Sequence, residues 1–238
     1  MAPFLLGILL VGLTIWLGNV LLLIIRRGSF EKQWRNQAAV QAGADDLMYV
    51  VLGDSTASGV GARSIQTSYP YRIAVWLQKQ TGRTVAIKNY AVAGATIADV
   101  VKNQLPKLSL QDRLPNVVTV SVGANDIAKF TAESFESNMR ALLSALPRES
   151  YVALVPSFGG RKAKLDWKVQ EANKITTRLI QSTNHHLIDM YSATRSMKGI
   201  GLTAADLYHP STKAYSYWAL AFQTGMAERI PELISEKR

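Results

Sequence analysis

The sequence predicts a three-layer α/β/α domain of about five parallel strands, preceded by one apolar N-terminal segment. Three observations carry that expectation. From residue 47 onward, short apolar runs alternate with longer helix-like stretches, the pattern of strand–helix–strand units whose crossovers make neighbouring strands parallel. The run Val-Val-Thr-Val-Ser-Val at 117–122 is apolar at almost every position, as a strand covered on both faces should be. With 238 residues, 48% hydrophobic and 18% charged, the chain can bury one sizeable core and still carry something extra.

The extra part comes first. Residues 2–25 hold no charged side chain, and Thr14 and Asn19 are the polar interruptions. A helix of about 20 apolar residues crosses the ~30 Å hydrocarbon layer, so residues 1–27 are expected to form a single transmembrane anchor. A cleaved signal peptide would need a basic start and a small-residue cleavage site. Here the first basic residue is Arg26, which opens the run Arg-Arg-Gly-Ser-Phe-Glu-Lys-Gln-Trp-Arg. The chain has no cysteine, which excludes a lipid-modified cysteine as the anchor. Residues 28–46 are polar and read as a juxtamembrane helix or linker. The basic residues after the apolar run place the C-terminal part in the cytoplasm by the positive-inside rule.

The net charge is +10. No basic stripe interleaved with aromatics is present, so nucleic acid is not an expected partner. Anionic lipid headgroups suit a juxtamembrane basic cluster better.

The expected strands are 47–52, 85–90, 117–122, 152–155 and 186–190. The expected helices are 69–80, 97–104, 132–145, 164–181 and 212–229. In an open α/β sheet, ligands bind beyond the carboxyl ends of the strands. The segments just past those ends are Gly53-Asp54-Ser55, Gly94-Ala95-Thr96 and Gly123-Ala124-Asn125-Asp126.

Ser55 needs a base to act as a nucleophile, and the chain has three histidines. His185 and His186 stand at the entrance of the last expected strand, which places them at the wrong edge. His209 follows Asp206 by three residues, a spacing that lets the carboxylate hold Nδ1 while Nε2 faces a serine. The Ser55 N–H, the Gly94 N–H and the Asn125 amide could receive an oxyanion. Asp54 and Asp126 read as structural, tying nearby backbone amides. After the fourth strand, Ser157–Lys164 brings two glycines and three cations to the same edge. It reads as a solvated loop or as a flap in which Arg161 and Lys162 attract an anionic substrate.

Gly-Asp-Ser at 53–55 with Gly59, Gly94, Gly-Ala-Asn-Asp at 123–126 and Asp-Leu-Tyr-His at 206–209 resemble the SGNH hydrolases, also called the GDSL esterase/lipase family. The resemblance covers residues 47–228, within a domain of 47–238. It implies a serine hydrolase on a flavodoxin-like fold, with Ser55, Asp206 and His209 catalytic and Ser55, Gly94 and Asn125 as the oxyanion hole. It implies no metal or organic cofactor. Thr56 departs from the leucine many members carry. Exported members of the family place the domain outside the cytoplasm, against the charge rule. The expected substrate is a lysophospholipid or another short-to-medium acyl ester. A carbohydrate O-deacetylase, an acyl-thioesterase and a non-catalytic lipid- or protein-binding module are the alternatives.

Overall fold

Every residue of Leu47–Gly53 is buried, and this strand, β1, organises the sheet. The computed structural model describes residues 2–38, 43, 45–110, 113–158 and 160–235. Four further strands follow: β2 (Val85–Asn89), β3 (Val117–Ser121), β4 (Tyr151–Ala153) and β5 (His186–Ile188). All are parallel, in the order β2-β1-β3-β4-β5. The chain reverses its direction of travel across the sheet between β1 and β3, which opens a crevice above their carboxyl ends.

The helices are α1 (Ala2–Ala38), α2 (Ser55–Ser58), α3 (Tyr69–Thr81), α4 (Ile97–Asp99), α5 (Ala132–Ala145), α6 (Asp166–Ile180), α7 (Met190–Arg195), α8 (Ala214–Met226) and α9 (Ile230–Ser235). On one face of the sheet, side chains from α1, α3, α8 and α9 form a continuous core. Tyr69 stacks on Phe222 there at 5.2 Å, beside Tyr215 and Trp218. On the other face α4, α5 and α6 pack against the alternate residues of the strands.

Local sequence explains the helix ends. In α5, Thr131 caps the start by accepting from the Ser134 N–H at 3.2 Å, and Glu133 lies in the positive first turn. Its buried residues Phe135, Met139, Leu142 and Leu143 fall on one face at helical spacing. α3 starts with Pro70 in its first turn and stops at Gly82.

Two expectations need correction. The helix expected at 97–104 is one α-turn followed by a π-helical turn at Val100–Gln104 and a 3-10 turn at Leu105–Lys107. The wider turn carries the Gln104 side chain onto the end of β1, where it is bonded. The expected transmembrane anchor is the second. The segment is helical, but among the described residues no helix is long and apolar enough to cross a membrane. α1 also continues past residue 27, and Phe30 and Trp34 are buried in the main core.

Candidate active site

β1 delivers the site. After Gly53 the chain enters α2 directly, and Asp54 caps that helix by accepting from Thr56 N–H at 2.9 Å and Thr56 Oγ1 at 2.8 Å. Ser55 is the first residue of α2, where N–H groups have no intrahelical acceptor. Gly53 adopts φ +143°, and a Cβ built there would lie 2.0 Å from the Ser121 carbonyl oxygen. Any side chain at 53 would thus push β1 off β3 just below the serine.

His209 and Asp206 come from the loop between α7 and α8. Asp206 Oδ1 accepts from the N–H groups of Tyr208 and His209, each at 3.0 Å. Its Oδ2 is 2.5 Å from His209 Nδ1. That pairing places the proton on Nδ1 and turns Nε2 into an acceptor, which stands 3.0 Å from Ser55 Oγ. Burial pulls the Asp206 pKa upward, but the bonds from His209 and the two N–H groups outweigh it and hold the carboxyl below its ordinary value. The structure therefore joins Asp206, His209 and Ser55 in one hydrogen-bonded line. Gly61 lets the two bodies meet: a Cβ on it would lie 2.2 Å from Pro210 O.

These residues line a cavity of about 620 Å³. Its walls include Asn125, Phe158, Met197, Leu202, Leu207 and Trp218. The Asn125 amide has two N–H donors, and one of them goes to Ala95 O at 2.9 Å. Gly94 lies next to that carbonyl on the same edge of the sheet, though it does not line the cavity. Phe158, just before the Gly160–Leu165 turn, reaches the cavity. The side chains of Arg161 and Lys162 lie outside the described residues.

The remaining assignments separate cleanly. Asp126 accepts from Ile97 N–H at 3.2 Å, which ties the start of α4 to the loop that carries Asp126. Burial pushes Asp54 and Asp126 each up to about 6. The His185 ring bonds to Leu143 O at 2.8 Å, and His186 stacks on Tyr151 at 4.8 Å, both at the opposite edge.

Sequence reasoning missed three residues that hold the nucleophile. Gln104 Oε1 accepts from Gly53 N–H at 2.9 Å and its Nε2 donates to Gly53 O at 2.8 Å. Asn89 Nδ2 donates to Ala57 O at 2.8 Å. The Trp34 indole N–H donates to Ser58 O at 2.9 Å. Gln104 left a trace in the sequence: it shares the core-facing stripe of Ile97 and Val100, where a polar side chain requires a buried partner.

Comparison with known proteins gives the family and the fold. The GDSL-like lipase/acylhydrolase family model matches residues 51–217. A GDSL-like esterase of Mycobacterium tuberculosis is 26% identical over 238 aligned residues, covering 89% of this chain and 71% of that protein. Among solved structures, a lipase/acylhydrolase from Enterococcus faecalis superposes with a TM-score of 0.66 at 19% identity, over 77% of this chain and 96% of its own. A variant of an acetyl xylan esterase from Geobacillus stearothermophilus gives 0.62 at 19% identity, over 76% and 94%. The structural likenesses show the fold, and the family match shows the kind of chemistry. The chain belongs to the GDSL-like lipase/acylhydrolase family and is an ester-hydrolysing enzyme.

Proposed function

We propose that the chain is a membrane-attached serine esterase that works through an acyl-enzyme. The observation that carries this is the unbroken line from Asp206 through His209 to Ser55 Oγ, closed at 3.0 Å. In the first half-reaction Nε2 of His209 takes the Ser55 proton while Oγ attacks the ester carbonyl. The negative charge that moves to the carbonyl oxygen falls to the Ser55 N–H, the Gly94 N–H and the second Asn125 N–H. The imidazolium, stabilised by Asp206, then protonates the leaving alcohol. Water follows the same route in reverse, with His209 as base, and releases the acid and the serine.

The substrate we favour is a lysophospholipid or another ester of a short-to-medium acyl chain. Met197, Leu202, Leu207 and Trp218 give the cavity apolar walls, and about 620 Å³ exceeds what an acetyl group fills. Attachment through α1 rests on its sequence and on its two polar side chains. Thr14 Oγ1 donates to Leu10 O at 2.8 Å and Asn19 Nδ2 to Ile15 O at 2.9 Å. Both polar groups are thus satisfied within the helix, as hydrocarbon surroundings require. A carbohydrate O-deacetylase is the second reading, because one structural neighbour is an acetyl xylan esterase.

The test is fluorophosphonate labelling of the full chain, with turnover of p-nitrophenyl esters from acetate to octanoate. We expect stoichiometric labelling and faster turnover at butyrate or longer. Ser55→Ala should abolish the label and lower kcat on the order of 10⁴-fold or more. A label that persists in Ser55→Ala would remove the nucleophile from this serine. An acetate optimum would favour the deacetylase.

A further inference from the structure

Followed from residue 34 back toward its start, α1 moves from the nucleophile to the histidine loop. Trp34 bonds to Ser58 O, and Phe30 Cδ2 lies 3.8 Å from where a side chain on Gly59 would begin. Far up the helix, the Trp16 indole N–H donates to Ala205 O at 3.0 Å, one residue before Asp206. At about 1.5 Å per residue, Trp16 and Trp34 are roughly 27 Å apart along the axis. The helix thus passes the rim of the cavity, and its uncharged residues 2–15 continue beyond it.

The loop that Trp16 touches exposes three large apolar side chains among the polar Lys198, Thr203 and Lys213. Ile200 is 94% exposed, and Leu207 and Tyr208, on the cavity rim, are 42% and 43% exposed. Ile200 is presented rather than loose. Lys213 Nζ donates to its carbonyl at 3.3 Å, and Ser211 Oγ donates to Gly201 O at 2.5 Å. Leu207 adopts φ +59°, a left-handed conformation that L-residues other than glycine rarely take because Cβ crowds the following carbonyl oxygen. That conformation turns a leucine outward beside the triad carboxylate.

We propose that the mouth of the cavity docks on a lipid bilayer. Residues 2–15 of α1 and the side chains of Ile200, Leu207 and Tyr208 enter the lipid together, so the ester reaches Ser55 from the membrane. This rests on the attachment reading above and fixes its geometry. If residues 2–25 crossed the bilayer alone, Trp16 would sit deep in the hydrocarbon, and its bond to Ala205 would carry Asp206 in with it. An indole that donates a hydrogen bond belongs instead at the headgroup level. With Trp16 there, residues 2–15 reach about 21 Å, short of the ~30 Å core. α1 therefore enters the bilayer beside the mouth without crossing it.

The absence of cysteine makes the test direct. Ile200→Cys and Leu114→Cys are each labelled with a polarity-sensitive fluorophore in the full chain. Leu114 is 82% exposed and leads into β3, at the opposite edge of the sheet. Vesicles of phosphatidylcholine and phosphatidylglycerol carry spin labels on their acyl chains. We expect the protein to sediment with the vesicles and the label at 200 to be quenched several-fold more than the label at 114. Sedimentation with equal quenching at both positions would overturn the docking and leave attachment standing. Failure to sediment would overturn both. A label at 200 that becomes shielded in lipid-free buffer as protein concentration rises would assign the surface to a second copy and overturn the proposal.

Discussion

Ser55 and His209 share one hydrogen bond yet stand on unlike ground. Asp54 to Ser58 are all buried, and this short stretch is held from three separate elements through Gln104, Asn89 and Trp34. The histidine loop is held mostly by itself. Thr203 bridges Pro210, and Ala204 N–H bonds to His209 O at 2.8 Å, Leu207 N–H to Ala204 O and Ser211 N–H to Leu202 O. The nucleophile is thus placed by the core of the fold, and the base by a local turn. Changes in the loop should silence the enzyme without unfolding it, whereas changes around Ser55 should move stability and activity together.

Asp206→Asn separates the two regions most sharply. The substitution preserves shape but lets the side chain present an N–H to Nδ1, which favours the wrong tautomer and leaves Nε2 protonated toward Ser55. We expect kcat to fall about 10⁴-fold, with the thermal midpoint close to that of the parent. A midpoint that fell as far as for a core substitution would show that the loop is part of the cooperative core, and the contrast would fail.

Asp54 tests the buried side through pH. Burial raises its carboxyl to about 6 in the fold, above the ordinary value, so the folded state favours the neutral acid. Its contribution to stability is complete below about 3.9 and disappears as pH rises through about 6. Asp54→Asn cannot ionise and keeps an oxygen for Thr56. Relative to the parent, the variant should therefore gain up to about 3 kcal/mol between pH 4 and pH 8, read from urea titrations at each pH. Asp126 is shifted in the same direction and persists in the variant, so the slope should shrink without vanishing. An unchanged slope would mean that burial does not raise the Asp54 carboxyl above its ordinary value.

What could be read from the sequence follows the same division. The order of strands and helices was legible because a buried parallel sheet needs near-continuous apolar runs. The line from Asp206 to Ser55 was legible because its chemistry needs scarce residue types, and of three histidines His209 alone stood beyond a suitable carboxylate. Gln104 was obscured because its reach to Gly53 depends on a π-turn that periodicity cannot express. Phe30 and Trp34 sat in a stretch that averages as polar, so their burial depends on the surface that α2 and β2 offer them. The docking of Trp16 on Ala205 joins residues 189 positions apart, and no local pattern encodes such a contact.

Gln104 itself gives the smallest expected effect and the finest test. Leu has nearly the shape of Gln and lacks the amide, so Gln104→Leu fills the same space without the clamp. Gly53 O would still accept from Val92 N–H at 3.1 Å. Gly53 N–H would lose the acceptor that Oε1 supplies in a buried site, at a cost of about 1–3 kcal/mol. We expect the urea midpoint to fall accordingly and kcat to drop severalfold, because the strand end that aims Ser55 is loosened rather than removed. KM should stay near the parent value, since Gln104 does not line the cavity. A large loss of kcat at unchanged stability would place Gln104 with the histidine loop in its behaviour. The nucleophile would then depend on one local clamp instead of on the whole core.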